Sequence, residues 1–279
     1  MYSGEYLDGV RHFFVFFIGV CKLLSKYLNN IDIKSSVGLV CQSKSFGDFK
    51  IIEYKGYNNV VIEFLETGYQ KLCQNKEIKT GAVKDKLLPT VLGVGIVGDK
   101  YDCKINGNHV KEYQLWVDML KRCYSEKRHL SSPTYKECEV SENFKSYEYF
   151  YEWCNKQVGF GVQGFDLDKD LLAKGNKVYS EHTCVFVPHE INSLLVTSKS
   201  RRGNHPIGVM WHKASNKFCA ILNVNKQRYL GFFNSELEAF EAYKQAKESF
   251  IKEQANKWKG KIDDRAYEAL MSYEVSIDD

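Results

Sequence analysis

The stretch that decides the fold runs from residue 165 to residue 192 and reads FDLDKDLLAKGNKVYSEHTCVFVPHEIN. Phe165–Asp170 is predicted to be a short strand, and apolar and acidic residues alternate over its first four positions. Lys174-Gly175-Asn176 is a loop signal, and the β-branched and apolar run Thr183–Val187 predicts a second strand. Pro188 then starts a helix, because proline is well accepted in a first helical turn. The stretch therefore predicts strand, loop, strand and helix in close succession.

Polar side chains in this stretch can converge on one point. Asp168 and Asp170 stand two residues apart on the predicted strand and so point to the same side, and Asn192 on the following helix can reach that side. Oxygen ligands of this kind, completed by water and phosphate oxygens, suit Mg²⁺ or Mn²⁺. An Asp-x-Asp pair at a strand end is also a common loop cap, and Asn176 after Gly175 also fits a plain turn, so both readings stay open.

Towards the N-terminus the pattern first turns helical and then β-rich. One apolar face of a helix is predicted by the spacing of Trp116, Met119, Leu120 and Cys123, and an aromatic cluster with near-helical spacing follows at residues 144–153. Further upstream, Phe49–Tyr54 and Val60–Phe64 are strand-like runs on either side of a turn signal. We expect both stripes to be core, and the segment from residue 36 to about residue 107 to form a small twisted antiparallel sheet.

Towards the C-terminus, three strands and a helix are predicted. The strands are Ile207–His212, Phe218–Val224 and Tyr229–Phe233, and Ser235 with Glu238 forms an S-x-x-E capping box at the start of the helix. Alternation along the central strand places its even-numbered residues on the side of the helix. The outward side chains are then expected to be Met210, His212, Cys219, Ile221 and Asn223.

Composition narrows the class of protein only slightly. The chain has 279 residues, 44% of them hydrophobic and 27% charged, and a net charge of +4, which describes an ordinary, mildly basic globular protein. The nine cysteines form no CxxC pair, which favours reduced thiols, and a zinc site from Cys123, Cys138 and Cys184 lacks a recognised spacing. The apolar run at residues 12–24 is too short to span a bilayer, so no membrane association is expected.

Two parts of the chain resemble known families, and the first resemblance is to the HNH endonucleases of phages. The stretch LDKDLLAKGNKVYSEHTCVFVPHEIN looks like their nuclease segment, and WVDMLKRCYSEKRHLSSPTYKECEV, SFGDFKIIEYKGYNNVVIEFLETGY and TGAVKDKLLPTVLGVGIVG resemble the segments that precede it. The resemblance implies a ββα-metal fold in which Asp168 matches the metal-ligand aspartate and Asn192 the ligand on the helix. It also implies hydrolysis of a phosphodiester.

The chain departs from that family at the residue after the aspartate. Lys169 stands where the family has the catalytic histidine, and an ordinary lysine is a poor base at neutral pH. His182 or His189 could supply the base from the neighbouring strand and helix. Alternatively, the fold is kept only as a scaffold that binds DNA.

The second resemblance is to the APETALA2-type DNA-binding domain, carried by GVMWHKASNKFCAILNVNKQRYLGFFNSELEAFEAYKQAK. It implies that the sheet lies in the major groove of double-stranded DNA and that its outward side chains read bases, although arginines common in the family are absent at positions 210, 219 and 221. Asn176 and the basic linker 198–205 are further candidates for DNA contact. The cations expected to contact phosphates are Lys199, Arg201, Arg202, Lys213, Lys217, Lys226 and Arg228.

Together these features predict an α+β chain of several domains. The expected parts are an N-terminal helix and linker (1–35), a small β domain (36–110), a helical and HNH-like nuclease domain (111–197), a basic linker (198–205) and an APETALA2-type domain with a C-terminal helix (206–279). The leading hypothesis is a site-specific DNA endonuclease acting in the cytoplasm of an infected bacterial host, with a monomer nicking DNA and a homodimer cutting both strands. The alternatives are a catalytically silent repressor and a protein-interaction module that counters a host or phage factor.

Overall fold

The computed structural model describes residues 31–196, 204–224 and 226–279, with the backbone alone for Lys226. The described residues form a mixed α+β chain of several small sheets and helices, which confirms the predicted class. The chain divides into two compact units, 1–99 and 100–279. The helix predicted in the first thirty residues lies outside the described part. No helix in the described part has both the length and the apolarity needed to cross a membrane.

The first unit is built on one antiparallel sheet, as predicted. A 3₁₀ helix at Ile33–Ser36 precedes strands β1 (Val40–Gln42), β2 (Asp48–Tyr54), β3 (Val60–Phe64) and β4 (Gln70–Cys73), which pair in chain order, and helix α1 (Asn75–Thr80) follows. The strands predicted at Phe49–Tyr54 and Val60–Phe64 are confirmed. Every second residue of β3 is buried, starting with Val60, and joins the core of this unit. Each such apolar side chain stabilises the fold by about 1.5–3 kcal/mol.

The second unit starts with short strands and helices. These are β5 (Lys104–Ile105), β6 (Asn108–His109), α2 (Lys111–Tyr124), α3 (Glu126–Ser131), a 3₁₀ turn (Pro133–Tyr135), β7 (Glu139–Val140), α4 (Glu142–Lys145) and α5 (Tyr147–Cys154). The predicted apolar face of α2 is confirmed, since all four of its residues are buried. The Trp116 indole N–H donates to the Phe144 carbonyl over 2.8 Å, which ties α2 to the aromatic cluster. That cluster is core, as expected, with Phe144, Tyr147 and Phe150 fully buried.

The central stretch has the predicted order of strand, loop, strand and helix, with one further two-residue strand between the two predicted strands. Its elements are β8 (Phe165–Asp168), β9 (Val178–Tyr179), β10 (Val185–Pro188) and α6 (His189–Leu195). Strands β8 and β10 pair antiparallel, with Asp168 opposite Val185, while β9 pairs parallel with β7. Strand β8 ends at Asp168, two residues earlier than predicted, because the Asp168 carboxylate accepts the backbone N–H groups of Asp170 and Leu171 and so turns the chain.

The C-terminal part forms a three-stranded antiparallel sheet and two helices. These are β11 (Val209–His212), β12 (Lys217–Val224), β13 (Lys226–Phe233), α7 (Glu236–Lys257) and α8 (Asp264–Met271), with β12 at the centre of the sheet. The capping box at the start of α7 is confirmed. The first half of α7 packs on the sheet through Ala239 and Phe240, and its second half packs through Ile251 and Ala255 against β10, α6 and α8. The segments 111–197 and 206–279 were predicted as separate domains. In the structure they belong to one compact unit, and helix α7 of the second segment packs against elements of both.

Candidate metal and nucleic-acid site

Strand β8 and helix α6 bring four polar side chains together. Asp166 and Asp168 stand two residues apart on β8 and lie on one side of it, while His189 and Asn192 stand three apart on one face of α6. His189 Nδ1 lies 2.6 Å from Asp166 Oδ2, and the Asn192 amide donates to the same oxygen over 3.4 Å. Because α6 follows β10 directly and β10 pairs with β8, the helix places its polar face beside this strand. We call these four residues the polar row.

A cavity of about 500 Å³ opens at one end of the polar row. All three predicted metal ligands, Asp168, Asp170 and Asn192, line it, so the structure brings them together. Its further charged lining consists of Lys169, Lys174, Lys177, Asp278 and Asp279. Four carboxylates thus face three lysines, and two of those lysines are paired with Asp170 and Asp279. The excess of negative charge favours a cation in this cavity.

Asp168 is the carboxylate of the cavity that turns the chain after β8. Its Oδ1 accepts from Leu171 N at 2.6 Å and from Asp170 N at 2.9 Å. Burial raises the pKa of Asp168 above its ordinary value, although the two backbone hydrogen bonds act in the opposite direction. Its other oxygen forms no hydrogen bond within the described residues. A poorly solvated carboxylate of this kind is stabilised by a bound cation.

Lys169, predicted as a catalytic residue, makes contacts within the loop that follows β8. The side chain is buried, and its Nζ donates to Asp170 Oδ1 at 2.5 Å and to the Asn176 carbonyl at 2.7 Å. The ammonium also lies 5.6 Å from the centre of the Tyr179 ring. These contacts show that Lys169 holds the loop after β8, and a catalytic role for it stays a prediction.

Asn176 is committed to the same loop. Its amide nitrogen donates to the carbonyls of Lys169 (2.9 Å) and Val178 (2.7 Å), and its side-chain oxygen accepts from Val178 N at 3.1 Å. These hydrogen bonds engage both ends of the amide, and the expectation that Asn176 contacts DNA stays a prediction. Asn176 joins the end of β8 to the start of β9.

The two candidate histidines lie in different places. His182 is exposed in the turn before β10 and does not line the cavity, so it is not placed to serve as the base there. His189 belongs to the polar row, and its side chain is 77% exposed. A carboxylate can only accept, so His189 Nδ1 carries the proton shared with Asp166, and Nε2 is left to accept a proton from solvent.

Asp166 was missed by the sequence reasoning. The signal was present, because Asp166 and Asp168 have the same two-residue spacing as Asp168 and Asp170. Since β8 ends at Asp168, the pair that shares one side of the strand is Asp166 and Asp168. The partner of His189 is therefore Asp166, which lies two residues before the predicted pair of Asp168 and Asp170.

The buried thiols near Lys169 do not have the character of metal ligands. Burial raises the pKa of Cys123 and of Cys184 to about 12, and it also raises the pKa of Cys138, so all three stay protonated at neutral pH. Within the described ranges, no group of three or more His, Cys, Asp or Glu side chains is arranged to hold a metal ion. A metal in the cavity would therefore take few protein ligands and complete its shell with water or substrate oxygens.

The outward face of the C-terminal sheet is aromatic and partly apolar. Met210, Cys219 and Phe232 form one row across the three strands, and the His212 and Phe232 ring centres lie 4.9 Å apart. Met210 and Phe232 are exposed, but Cys219 is fully buried and Ile221 is 7% exposed. The expectation that these two are free to read bases is wrong, because both lie on the central strand, where neighbours on β11 and β13 flank Cys219 and Tyr229 pairs with Ile221.

The polar and basic candidates on this sheet are exposed where they are described. Lys213, Lys217 and Asn223 are exposed, and His212 is half-buried. Arg228 is exposed too, but it pairs with Leu222, which packs on the side of α7. Four further candidates, Lys199, Arg201, Arg202 and the side chain of Lys226, lie outside the described part of the chain.

Comparisons of the whole chain with family models, with curated proteins and with solved structures find no match.

Proposed function

We propose that this chain is a site-specific DNA endonuclease of the phage HNH type that hydrolyses a phosphodiester with the help of a divalent metal. The observation that carries the proposal is the polar row of β8 and α6 beside an acidic cavity that Asp168 and Asn192 share. We further propose that β8, β10 and α6 form an HNH-like ββα-metal fold and that the C-terminal sheet with α7 is an APETALA2-like DNA-binding module.

The donor chemistry of the cavity fits Mg²⁺ or Mn²⁺. Asp168 offers a half-buried carboxylate, and Asn192 offers an amide oxygen, since its amide nitrogen is the atom that contacts Asp166. Mg²⁺ is commonly held by one or two protein oxygens with water and phosphate completing the shell. A metal bound there would neutralise the charge that develops on the leaving oxygen.

His189 and Asp166 can move the proton that hydrolysis requires. Asp166 fixes the ring of His189 through Nδ1, and Nε2 then takes a proton from the attacking water while the P–O bond to the leaving oxygen breaks. Lys169 and Asn176 hold the loop that follows Asp168 and so keep its carboxylate in place. General-base assistance of this kind contributes a rate factor of roughly 10²–10⁴.

DNA would be located by the C-terminal sheet. Its outward face offers Met210, Tyr229 and Phe232 for apolar contact with bases, and Lys213 and Lys217 for phosphates. Because phosphate contacts release counterions, binding should weaken steeply as salt rises. One centre per chain implies a nick by a monomer and a double-strand break by a homodimer.

The proposal is tested by cleavage of supercoiled plasmids that carry fragments of the source genome, with Mg²⁺ or Mn²⁺ present. We expect wild type to produce open-circle or linear DNA and the Asp168→Ala, Asn192→Ala double variant to produce neither. The His189→Gln variant should be slower by roughly 10²–10⁴-fold. His182→Gln is the matched control and should cut like wild type, because His182 is an exposed histidine away from the cavity. Cleavage by the double variant at the wild-type rate would remove this site from the chemistry.

A second candidate function is a repressor that occupies DNA without cutting it. It is favoured by Lys169, which stands where the resembled family has its catalytic histidine and which is engaged in holding the loop. A shifted band on fragments that no divalent metal causes to be cut would select this function.

A further inference from the structure

A second cavity, of about 450 Å³, lies in the second unit where helix α6, strand β12 and helix α7 meet. The polar side chains that line it are Glu190, Ser193, Asn223, Lys247 and Gln254. Apolar residues form the rest of its wall, with Phe250 between Lys247 and Gln254 on α7. This cavity shares none of its polar side chains with the polar row or with the acidic cavity.

Lys247 places a cation in this cavity without an ion pair to Glu190, the carboxylate that lines the same cavity. It forms neither an ion pair nor a hydrogen bond with any residue in the part of the chain that the structure describes. Burial lowers the pKa of Lys247, and no neighbouring carboxylate raises it. Lys169, the other poorly exposed lysine discussed above, has Asp170 as its partner. An uncompensated and partly desolvated ammonium is costly, and a bound anion would offset that cost.

Gln254 adds a second polar group to the same wall. It stands two helical turns after Lys247, so both lie on one face of α7. Its side chain is nine-tenths buried and has no hydrogen-bond partner among the described residues. Glu190 also lines the cavity, but its carboxylate accepts the Trp258 indole N–H at 2.6 Å. Lys247 and Gln254 therefore offer N–H donors to a ligand that carries negative charge.

We propose that this cavity is a phosphate-binding site in which Lys247 and Gln254 hold one phosphate group. Lysine is a common point-charge partner of phosphate, and an amide nitrogen provides a second donor. The phosphate can belong to the DNA backbone or to a free phosphate or nucleotide, and the DNA source rests on the function proposed above. With DNA, the site would fix the backbone between the sheet and α6.

The first arm of the test uses the full chain and inorganic phosphate. Thermal unfolding is followed with rising phosphate against a chloride series of equal ionic strength, for wild type, Lys247→Met, Gln254→Leu and Lys252→Met. The last is the matched control, because Lys252 is an exposed lysine on the same helix. We expect phosphate to raise the Tm of wild type and of the control by about 2–4 °C, and that of the two cavity variants by much less. In chloride, Lys247→Met should be at least as stable as wild type, since it loses an uncompensated charge.

The second arm measures DNA affinity as a function of salt. If the phosphate is that of DNA, the slope of log affinity against log salt should fall by about 0.9 in Lys247→Met and stay unchanged in Lys252→Met. A phosphate effect on Tm with no change of slope supports the same site with a free phosphate as its ligand. Equal phosphate effects on wild type and Lys247→Met would overturn the proposal. A chain that binds no DNA would end the proposed function, while the phosphate arm would still decide this site.

Discussion

Replacing Lys169 with methionine separates the structural account of this residue from a chemical one. The side chain is buried, and its ammonium bridges Asp170 and the Asn176 carbonyl, 2.5 and 2.7 Å away. Methionine keeps most of the apolar stem and removes the ammonium. We therefore expect Lys169→Met to weaken the loop after β8 without opening a large cavity.

The magnitude follows from the two bonds that are lost. A hydrogen bond that involves a charged group contributes about 1.5–3 kcal/mol. The Asp170 side chain is 54% exposed and can rehydrate, so the bond to it counts for little. The Asn176 carbonyl lies in a half-buried residue and cannot replace its partner as easily, while removal of the buried ammonium recovers some desolvation energy. We expect a net loss of about 2 kcal/mol, which for a unit of this size lowers the Tm by about 4–8 °C.

The assay is thermal and urea unfolding of the full chain, followed by circular dichroism. Lys177→Met is the control, because Lys177 lines the same cavity but is half-exposed and lies 3.7 Å from an exposed Glu137. This control should change stability by less than about 0.5 kcal/mol. A Lys169→Met variant as stable as wild type that has nevertheless lost DNA cleavage would refute the reasoning and assign Lys169 a chemical role.

Three further changes are predicted. Asp168→Asn should raise the Tm at neutral pH, because the pKa of Asp168 is raised in the folded protein and its ionisation therefore lowers the free energy of unfolding. This gain should shrink in pH-dependent melting as the pH falls towards about 4, where the carboxyl group becomes protonated. An equal gain at all pH values would contradict the prediction. Gly208→Ala should cost about 2–4 kcal/mol in urea unfolding, since φ is +77° and the added carbon would stand 2.0 Å from the Tyr243 ring. Gly161→Ala, with φ of +79° and open space, is its control and should cost about 1 kcal/mol; equal losses would refute the contact. Phe232→Ala should weaken DNA binding about tenfold at an unchanged salt slope in fluorescence anisotropy, and unaltered affinity would exclude this face from recognition.

Local pattern was sufficient for much of the fold. The apolar stripe of α2, strands β2 and β3, the capping box of α7 and the order of strand, loop, strand and helix all follow from spacing and turn chemistry. These features depend on contacts within a few residues of one another. The three residues named as metal ligands also line one cavity, because the β8–β10 pairing and α6 fix them together.

What the sequence could not provide depends on partners that are distant along the chain. Cys219 alternates outward as predicted, yet it is buried because flanking strands cover the central one. Asn176 resembles a free turn residue, but its amide is taken by backbone groups on both sides of the loop. Asp166 becomes a candidate site residue only through its contact with His189, which lies twenty-three residues later in the chain. The 22-residue helix α7 contributes to two hydrophobic cores, although the sequence pattern predicted separate domains for them.

The most direct test of the central claim measures binding and cleavage on the same DNA fragment for wild type and Asp168→Asn. The asparagine keeps the Oδ1 acceptor that turns the chain after β8 and removes the charge that would hold a metal. We predict equal affinity for the fragment, cleavage by wild type with Mg²⁺ or Mn²⁺, and no cleavage by the variant. Equal cleavage by both proteins, or none by wild type on any fragment that it binds, would contradict a metal-dependent nuclease built on Asp168.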